Sequence, residues 1–196
     1  RKLPRAKQSS VRQKSGHATE SKITPTDLFA RFTQWFLNRD QKPFAFQQEV
    51  WKAMAAGNDG LLHAPTGTGK TLAAWLGALC RSSILPTQYE KPGIRIVWIT
   101  PLRALATDTA RALEEPLADL TGAFGRCWQV GTRTGDTSAA DRRRLRQNWP
   151  EALITTPESL SILLSLEDSQ EIFADLDTVI VDEWHELLST KRGVQT

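Results

Sequence analysis

Residues 64–71 have the types and spacing of a phosphate-binding loop. They read Ala-Pro-Thr-Gly-Thr-Gly-Lys-Thr, close to the pattern G-x-x-x-x-G-K-[ST] but with Ala64 in place of the first glycine. In such a loop, consecutive backbone N–H groups point at an anion and the following helix adds partial positive charge. Lys70 would reach the β- and γ-phosphates of a nucleotide, and the Thr71 hydroxyl would hold a metal ion. The other loop positions predicted to contact the nucleotide are Thr66, Gly67, Thr68 and Gly69.

Two acidic residues follow a short apolar run further along the chain. Residues 178–181 are typical of a buried parallel strand, and Asp182 and Glu183 stand at its carboxyl end. Asp182 would hold the shell of a magnesium ion, while Glu183 would orient or deprotonate an attacking water molecule. Each motif alone has a structural alternative, because a Gly-rich turn is often only a turn and an acidic pair often caps a helix. Together and in this order, they predict that the chain binds a nucleoside triphosphate.

Length and composition place these motifs in a single α/β domain. The chain has 196 residues with 40% hydrophobic content, enough for one buried core. No apolar run approaches the ~20 residues that span a bilayer, and no signal peptide is recognisable, so we expect a cytoplasmic protein. Cys80 and Cys127 are the only cysteines, and three scattered histidines give no metal-ligand spacing.

The positive charge of the chain is concentrated at its beginning. Residues 1–22 carry seven basic side chains and one acidic one, whereas the whole chain has a net charge of only +3. The rest of the chain is therefore net negative. Residues 1–23 are polar and lack apolar periodicity, which predicts a disordered basic tail. The folded part must bind any nucleic acid through placed groups and not through bulk charge.

Capping residues and apolar periodicity predict alternating strands and helices from Thr24 onwards. Strands are expected at 59–63, 94–99, 126–130, 152–155 and 178–181, and helices from 24, 46, 72, 102, 138 and 158. This alternation requires right-handed crossovers and a mostly parallel, doubly wound sheet flanked by helices. Ligands of such sheets bind at the carboxyl ends of the strands.

Three loops at predicted strand ends are rich in Thr, Pro, Gly and Arg. They are residues 100–103, 133–137 and 155–158. Hydroxyls and backbone amides at the start of a helix can grip a phosphodiester backbone without reading bases. The alternative is that each loop is an ordinary helix cap or turn. Three such loops on one edge favour an extended anionic ligand.

The order of the motifs along the chain is itself informative. It runs Gln47, residues 64–71, residues 100–106, Thr134-Gly135-Asp136, residues 155–158 and Asp182-Glu183-Trp184-His185. In this order the chain resembles the first RecA-like domain of a superfamily 2 helicase, in which Ala is common at the position of Ala64. It most resembles the Lhr (large helicase-related) group, and within it the bacterial ligase-associated DExH-box helicases, sometimes called Lhr-Core. Residues 98–106, 133–138 and 182–193 carry this narrower resemblance.

The resemblance implies roles that the residues alone do not fix. It implies a RecA-like P-loop NTPase domain over residues 24–196 that takes ATP and Mg²⁺, with Gln47 recognising adenine. His185 would couple the ATP site to a neighbouring domain and belongs, with Lys70, Asp182 and Glu183, to the predicted catalytic set. The positions that would line a single-strand track are Thr100, Pro101, Arg103, Arg133, Thr134, Gly135, Asp136, Thr156 and Pro157.

Family membership further implies ATP-driven translocation on single-stranded DNA, with 3′ to 5′ polarity, duplex unwinding and a role in DNA repair at the bacterial nucleoid. RNA or a DNA:RNA hybrid is the alternative polymer, and DNA ligase and nuclease are the implied protein partners. A nucleotide-dependent remodeller without processive unwinding, a P-loop kinase and a switch GTPase remain open as other functional classes. Arg142, Arg143, Arg144 and Arg146 are by default a solvated helix face, and a stripe that contacts DNA is the alternative.

Phosphoryl transfer also needs a cation that stabilises the γ-phosphate in the transition state. In superfamily 2 this arginine comes from a second RecA-like domain, which we expect to lie outside these 196 residues. We therefore expect the chain alone to bind ATP–Mg weakly, to hydrolyse it very slowly and not to unwind DNA.

Overall fold

The computed structural model describes residues 23–65, 67–86, 93–120 and 122–188. The predicted basic tail, apart from Ile23, and the loop residue Thr66 lie outside the described residues. So does the Lys191-Arg192-Gly193 segment that contributed to the resemblance.

Three helices come first along the chain, namely α1 (Pro25–Leu37), α2 (Ala45–Ala55) and α3 (Lys70–Ile84). The start of α1 follows from its capping residues, because the Thr24 hydroxyl accepts a hydrogen bond from the Asp27 N–H at 3.2 Å and Pro25 occupies the first turn. Trp51 of α2 packs against Phe32 and Phe36 of α1. These aromatic contacts hold the first two helices together.

The sheet formed by the described residues has four parallel strands in the order β2-β3-β1-β4. The strands are β1 (Ile96–Ile99), β2 (Val130–Arg133), β3 (Ala152–Thr155) and β4 (Thr178–Val181). Thr155 pairs with both Ile99 and Arg133, and Ile99 also pairs with Val181. The last residues of all four strands are therefore level, and the loops that follow them share one edge of the sheet. The α/β class with a parallel sheet is as predicted.

A helix follows each strand, and helices lie on both faces of the sheet. They are α4 (Arg103–Asp119), α5 (Ala139–Gln147), α6 (Pro157–Leu164), α7 (Ser169–Ile172) and α8 (Trp184–Leu188). Alternate residues of β1 enter two separate hydrophobic layers, as a strand covered on both faces requires. Ile96 and Trp98 pack with the layer under α1 to α4, whereas Val97 and Ile99 pack with Leu163 and Ile172. None of the helices in the described residues has the length and apolar character needed to cross a membrane.

A buried ionic group lies at the opposite edge of the sheet, where β1 and β4 begin. The Arg95 guanidinium is 3.3 Å from the Asp177 carboxylate, and both side chains are almost fully buried. The Ser82 hydroxyl of α3 bonds to the same carboxylate. In addition, the Arg95 carbonyl accepts hydrogen bonds from the N–H groups of Asp177 and Thr178. These bonds join α3 to the starts of two neighbouring strands.

Two of the predicted strands differ from the structure. Residues 59–63 form no strand, and Leu61 is 71% exposed. Their apolar run is only two leucines beside Gly60 and Asp59, so local pattern gives little preference for a strand. In β4, which is an edge strand of the sheet formed by the described residues, the side chain of Val179 is 53% exposed. The strand expected at 126–130 begins instead at Val130. Its position is set by pairing with β3 and not by the pattern of its apolar residues.

Candidate functional site

The phosphate loop enters α3 through two glycines with left-handed backbone. Gly67 has φ 78° and Gly69 has φ 83°, and residues with a Cβ rarely adopt this backbone conformation. Gly69 is the N-cap of α3, so the first N–H groups of the helix have no partner within it. The Thr68 hydroxyl donates to the Pro65 carbonyl at 2.7 Å and closes the turn. The loop thus leads directly into the amino-terminal N–H groups of a 15-residue helix.

Lys70 is the first residue of α3 and its side chain folds back over the loop. Its Nζ donates to the Ala64 carbonyl at 2.7 Å. Lys70 is half-buried, and this carbonyl replaces part of the hydration of its ammonium group. An anion in the loop would offer the same ammonium a charged acceptor, which forms the stronger hydrogen bond.

Gln47 connects the start of α2 to the phosphate loop. Its side chain is 1% exposed. The Nε2 donates to the Gly69 carbonyl at 3.1 Å, and the Oε1 accepts from the Phe44 N–H at 2.8 Å. A Cβ at Gly69 would lie 2.7 Å from this Nε2, so the contact leaves no room for a side chain. The side-chain amide of Gln47 keeps one hydrogen and one lone pair for another partner.

Asp182 lies one residue beyond β4, and its N–H donates to the Ile99 carbonyl at 2.9 Å. Burial raises the pKa of its carboxyl group, and the neighbouring Glu183 charge raises it further. The Glu183 N–H at 3.0 Å, the Trp98 Nε1 at 3.4 Å and the positive charge of Lys70 act in the opposite direction. Lys70, in the first turn of α3, is therefore among the charged groups that act on Asp182. A cation beside Asp182 would further stabilise its charged form.

Glu183 is held in a strained backbone conformation at the end of β4. Its φ of 46° is unusual for a residue with a Cβ, and such strain concentrates at functional sites. Its carboxylate lies 3.5 Å from the Nδ1 of His185, whose Nε2 lies 3.5 Å from the Glu186 carboxylate. Glu183 and His185, both predicted from the sequence as catalytic, therefore contact each other.

The donor groups available to a metal ion at this site are oxygens. The Thr71 hydroxyl in the first turn of α3 and the Asp182 carboxylate are the type of ligand that Mg²⁺ takes in proteins. Mg²⁺ is commonly held by one or two carboxylates together with substrate phosphates and water. The residue types present therefore fit this ion. Within the described ranges, no cluster of three or more His, Cys, Asp or Glu side chains could hold a metal.

The structure brings the predicted single-strand track together at the level strand ends. Residues 100–103 follow β1, residues 134–137 follow β2 and residues 156–157 follow β3. Exposure differs among them. Arg103, Gly135 and Asp136 are exposed and Arg133 is half-buried, whereas Thr100, Pro101, Thr134, Thr156 and Pro157 are buried. The exposed part of the track is therefore concentrated around residues 133–137.

Two of the three buried threonines are held by hydrogen bonds within the domain. The Thr156 hydroxyl donates to the Ser159 hydroxyl at 3.3 Å, and the Thr134 hydroxyl accepts from the Asp136 N–H at 3.3 Å. The Thr100 hydroxyl is buried without a hydrogen-bond partner in the described part of the chain. A ligand at Thr100 would find an unsatisfied polar group, whereas Thr156 would first have to give up its bond to Ser159.

Two groups that touch the site were missed in the sequence. Trp98 lies in the middle of β1 and its indole N–H approaches Asp182, while Ser159 in α6 binds Thr156. A signal for Trp98 does exist, because a tryptophan in an apolar strand beside the acidic strand end has an N–H that needs an acceptor. Ser159 carries no comparable signal.

Comparison with known proteins identifies relatives over most of the chain. A family model described as DEAD/DEAH box helicase matches residues 44–196. The chain is 39% identical over 182 residues to the Lhr helicase/probable uracil glycosylase of Mycolicibacterium smegmatis, covering 89% of this chain and 12% of that protein. It is 41% identical over 168 residues to the ATP-dependent helicase Lhr-Core of Methanothermobacter thermautotrophicus, covering 83% of this chain and 20% of that protein.

A solved structure gives the same comparison in three dimensions. The chain is similar to the Mycobacterium smegmatis helicase Lhr bound to ssDNA and AMP-PNP, with a TM-score of 0.71 and 37% sequence identity. The match covers 88% of this chain and 22% of that protein. The chain thus spans about an eighth to a fifth of the length of these curated relatives.

Proposed function

Because the chain belongs to the DEAD/DEAH box helicase family, we propose that it forms the first RecA-like domain of an ATP-dependent helicase that moves on single-stranded nucleic acid. The observation that carries the proposal is the phosphate loop, whose left-handed Gly67 and Gly69 lead into α3 at Lys70, together with the acids Asp182 and Glu183 that follow β4. A phosphate-binding lysine and two acids with separable tasks are the parts that nucleoside triphosphate hydrolysis requires. The proposed domain comprises residues 24–196.

ATP is the proposed substrate. The amides of Gly67, Thr68 and Gly69, together with Thr66, would surround its phosphates, and Lys70 would exchange the Ala64 carbonyl for a phosphate oxygen. Thr71 and Asp182 would hold Mg²⁺, which supplies charge neutralisation when bound. Gln47 would use its remaining amide hydrogen and lone pair for adenine, and its existing bond to Gly69 would couple adenine recognition to the loop.

Glu183 would orient and deprotonate the attacking water. Its left-handed backbone holds the carboxylate at the strand end, and its contact with His185 gives the site a connection to the start of α8. We propose that His185 transmits the state of this site to a second RecA-like domain of the full-length protein. The same domain would supply the arginine that stabilises the transferring phosphoryl group, so the chain alone should hydrolyse ATP very slowly.

Single-stranded DNA is the proposed polymer, bound across the exposed loops of the level strand ends. Similarity to a helicase whose structure contains ssDNA and AMP-PNP supports this assignment. RNA and a DNA:RNA hybrid are the alternatives. Movement from 3′ to 5′, a role in DNA repair, and DNA ligase and nuclease partners are proposed on the resemblance to Lhr-Core helicases.

Steady-state ATP hydrolysis by the full-length protein tests the proposal. We expect stimulation by single-stranded DNA, and Glu183→Gln should retain ATP binding while lowering kcat by about 10² to 10⁴, the usual contribution of a general base. Lys70→Ala should instead weaken ATP binding itself by about 10- to 100-fold, since it removes a charge-assisted hydrogen bond. Glu171→Gln, the same change on α7 at the opposite face of the sheet, is the matched control and should leave both unchanged.

Two results would contradict the proposal. ATP hydrolysis that neither DNA nor RNA stimulates would favour a kinase or a switch GTPase. Retention of full turnover by Glu183→Gln would remove this residue from catalysis and return the acidic pair to a structural role.

A further inference from the structure

Helix α5 carries four arginines and has no buried residue. Arg142 and Arg146 are four residues apart and share one side of the helix. Asp141, Arg144 and Leu145 lie on a different side and line the cavity between α5 and the edge strand β2. Arg144 is 3.4 Å from the Asp141 carboxylate. The four arginines are therefore not equivalent, although the sequence gives no reason to separate them.

Arg142 reaches out of its helix to the loop that follows β2. Its Nη2 donates to the Gly135 carbonyl at 3.0 Å. Arg103 of α4 approaches the same loop, with its Nη1 2.8 Å from the Asp136 carboxylate. A Cβ at Gly135 would lie 2.6 Å from the Arg103 guanidinium, so this arginine covers the glycine closely. Two cationic side chains from two helices thus converge on residues 134–137.

A third arginine extends this positive region along the sheet edge. Arg133 ends β2, immediately before the same loop. It lies two residues before Gly135, whose carbonyl Arg142 contacts, and Arg146 is one turn further along the same helix as Arg142. Burial lowers the pKa of the Arg133 guanidinium, and the positive charges of Arg142 and Arg146 lower it further. In the part of the chain that the structure describes, none of these three side chains forms an ion pair, and the nearby acids Asp136 and Asp141 pair with Arg103 and Arg144. Their mutual repulsion is a cost that a bound anion would relieve.

We propose that Arg133, Arg142 and Arg146 form a phosphate-binding patch that continues the single-strand track from the loop at 134–137 onto the surface of α5. The inference rests on the proposed function, since it assigns the patch to the same nucleic-acid strand. Arg142 and Arg146 are separated by about 6 Å along the helix axis, so they can contact different phosphate groups. Contacts of this kind position the backbone and carry no sequence information.

The salt dependence of DNA binding by the full-length protein tests the patch. The probe is a fluorescently labelled oligo-dT strand, and its affinity is followed by anisotropy over a range of salt concentrations. Each phosphate contact on a single strand contributes about 0.7 to the slope of log K against log salt concentration. The double variant Arg142→Gln/Arg146→Gln should therefore reduce the magnitude of the slope by about 1.4. If the variant and the wild-type protein bind equally at 1 M salt, this difference in slope makes the variant about 25-fold weaker at about 0.1 M salt.

The control is Arg143→Gln/Arg144→Gln, which removes the same charge from the same helix. It should leave the slope unchanged and the affinity within about twofold, because Arg144 is paired with Asp141. Unchanged ATP binding by both variants would show that they are folded. Equal slope changes in the two variants, or none in either, would overturn the inference while leaving the proposed function intact. Failure of the wild-type protein to bind the strand would refute the proposed function and this inference with it.

Discussion

Replacing Gly69 with alanine should destabilise the chain through two separable effects. The backbone at this residue has φ 83°, and placing a Cβ in the left-handed region costs about 1–2 kcal/mol. The new Cβ would also lie 2.7 Å from the Gln47 Nε2 and would displace the hydrogen bond that this group donates to the Gly69 carbonyl. Loss of such a bond costs about 0.5–1.5 kcal/mol. The free energy of unfolding should therefore fall by about 1.5–3.5 kcal/mol.

Two other glycines separate these effects. Gly67 has a similar φ of 78° but open space around its Cβ position, so Gly67→Ala should show the backbone cost of about 1–2 kcal/mol alone. Gly60 has neither a left-handed backbone nor a neighbour within 4 Å. Gly60→Ala should leave stability unchanged or raise it by about 0.4–1 kcal/mol, because alanine restricts the unfolded chain.

Urea unfolding followed by tryptophan fluorescence is a suitable assay, because Trp51, Trp75 and Trp98 are buried. The Gly69→Ala variant should also be tested in a Gln47→Ala background. Without the Gln47 side chain, its cost should fall to that of Gly67→Ala. Equal costs for Gly67→Ala and Gly69→Ala in the wild-type background would refute the contribution of the Gln47 contact.

Two further outcomes follow from buried groups. Burial raises the pKa of the Cys80 thiol from its ordinary 9.0 to about 12, so at pH 8 a thiol reagent should modify exposed Cys127 and spare Cys80 until the chain unfolds. The thiol ionises at lower pH in the unfolded chain than in the folded one. The contribution of Cys80 to the free energy of unfolding is therefore fully present below pH 9 and should be lost as the pH rises towards 12. Urea titrations at several pH values would detect this loss. Asp177→Ala would break the buried ion pair with Arg95 and should lower the free energy of unfolding by about 3–5 kcal/mol in the same assay, whereas Asp168→Ala on the surface should change it by no more than about 0.5 kcal/mol.

The sequence predicted the fold best where local signals were strong. The Thr24 cap and Pro25 predicted the start of α1, and residues 152–155 form β3 as expected. The predicted strand at 59–63 was wrong because two leucines beside glycine carry little local preference. The start of β2 was also misplaced, since its residues Gly131, Thr132 and Arg133 are not apolar and only pairing with β3 defines them.

The likeness to DEAD/DEAH box helicases and to the Lhr group is confirmed by the relatives. The motifs also predicted that the phosphate loop, the acidic pair and the strand-end loops lie together, because parallel strands end at one edge. The burial of Thr100 and Thr156 could not be predicted, since it depends on how the loops pack in three dimensions. The same is true of the bond between Gln47 and Gly69, which joins residues 22 positions apart.

The level ends of the strands also limit the footprint of a bound strand. From β2 to β1 there are two inter-strand spacings, about 10 Å in all. That distance equals the axial length of about three nucleotides in a duplex, and of fewer in an extended strand. If the chain binds a single strand as proposed, the sheet edge of this domain alone would hold only two or three nucleotides. Longer binding sites would have to come from surfaces beside the sheet, so the minimal oligonucleotide that binds is a direct measure of how much of the track lies beyond these strand ends.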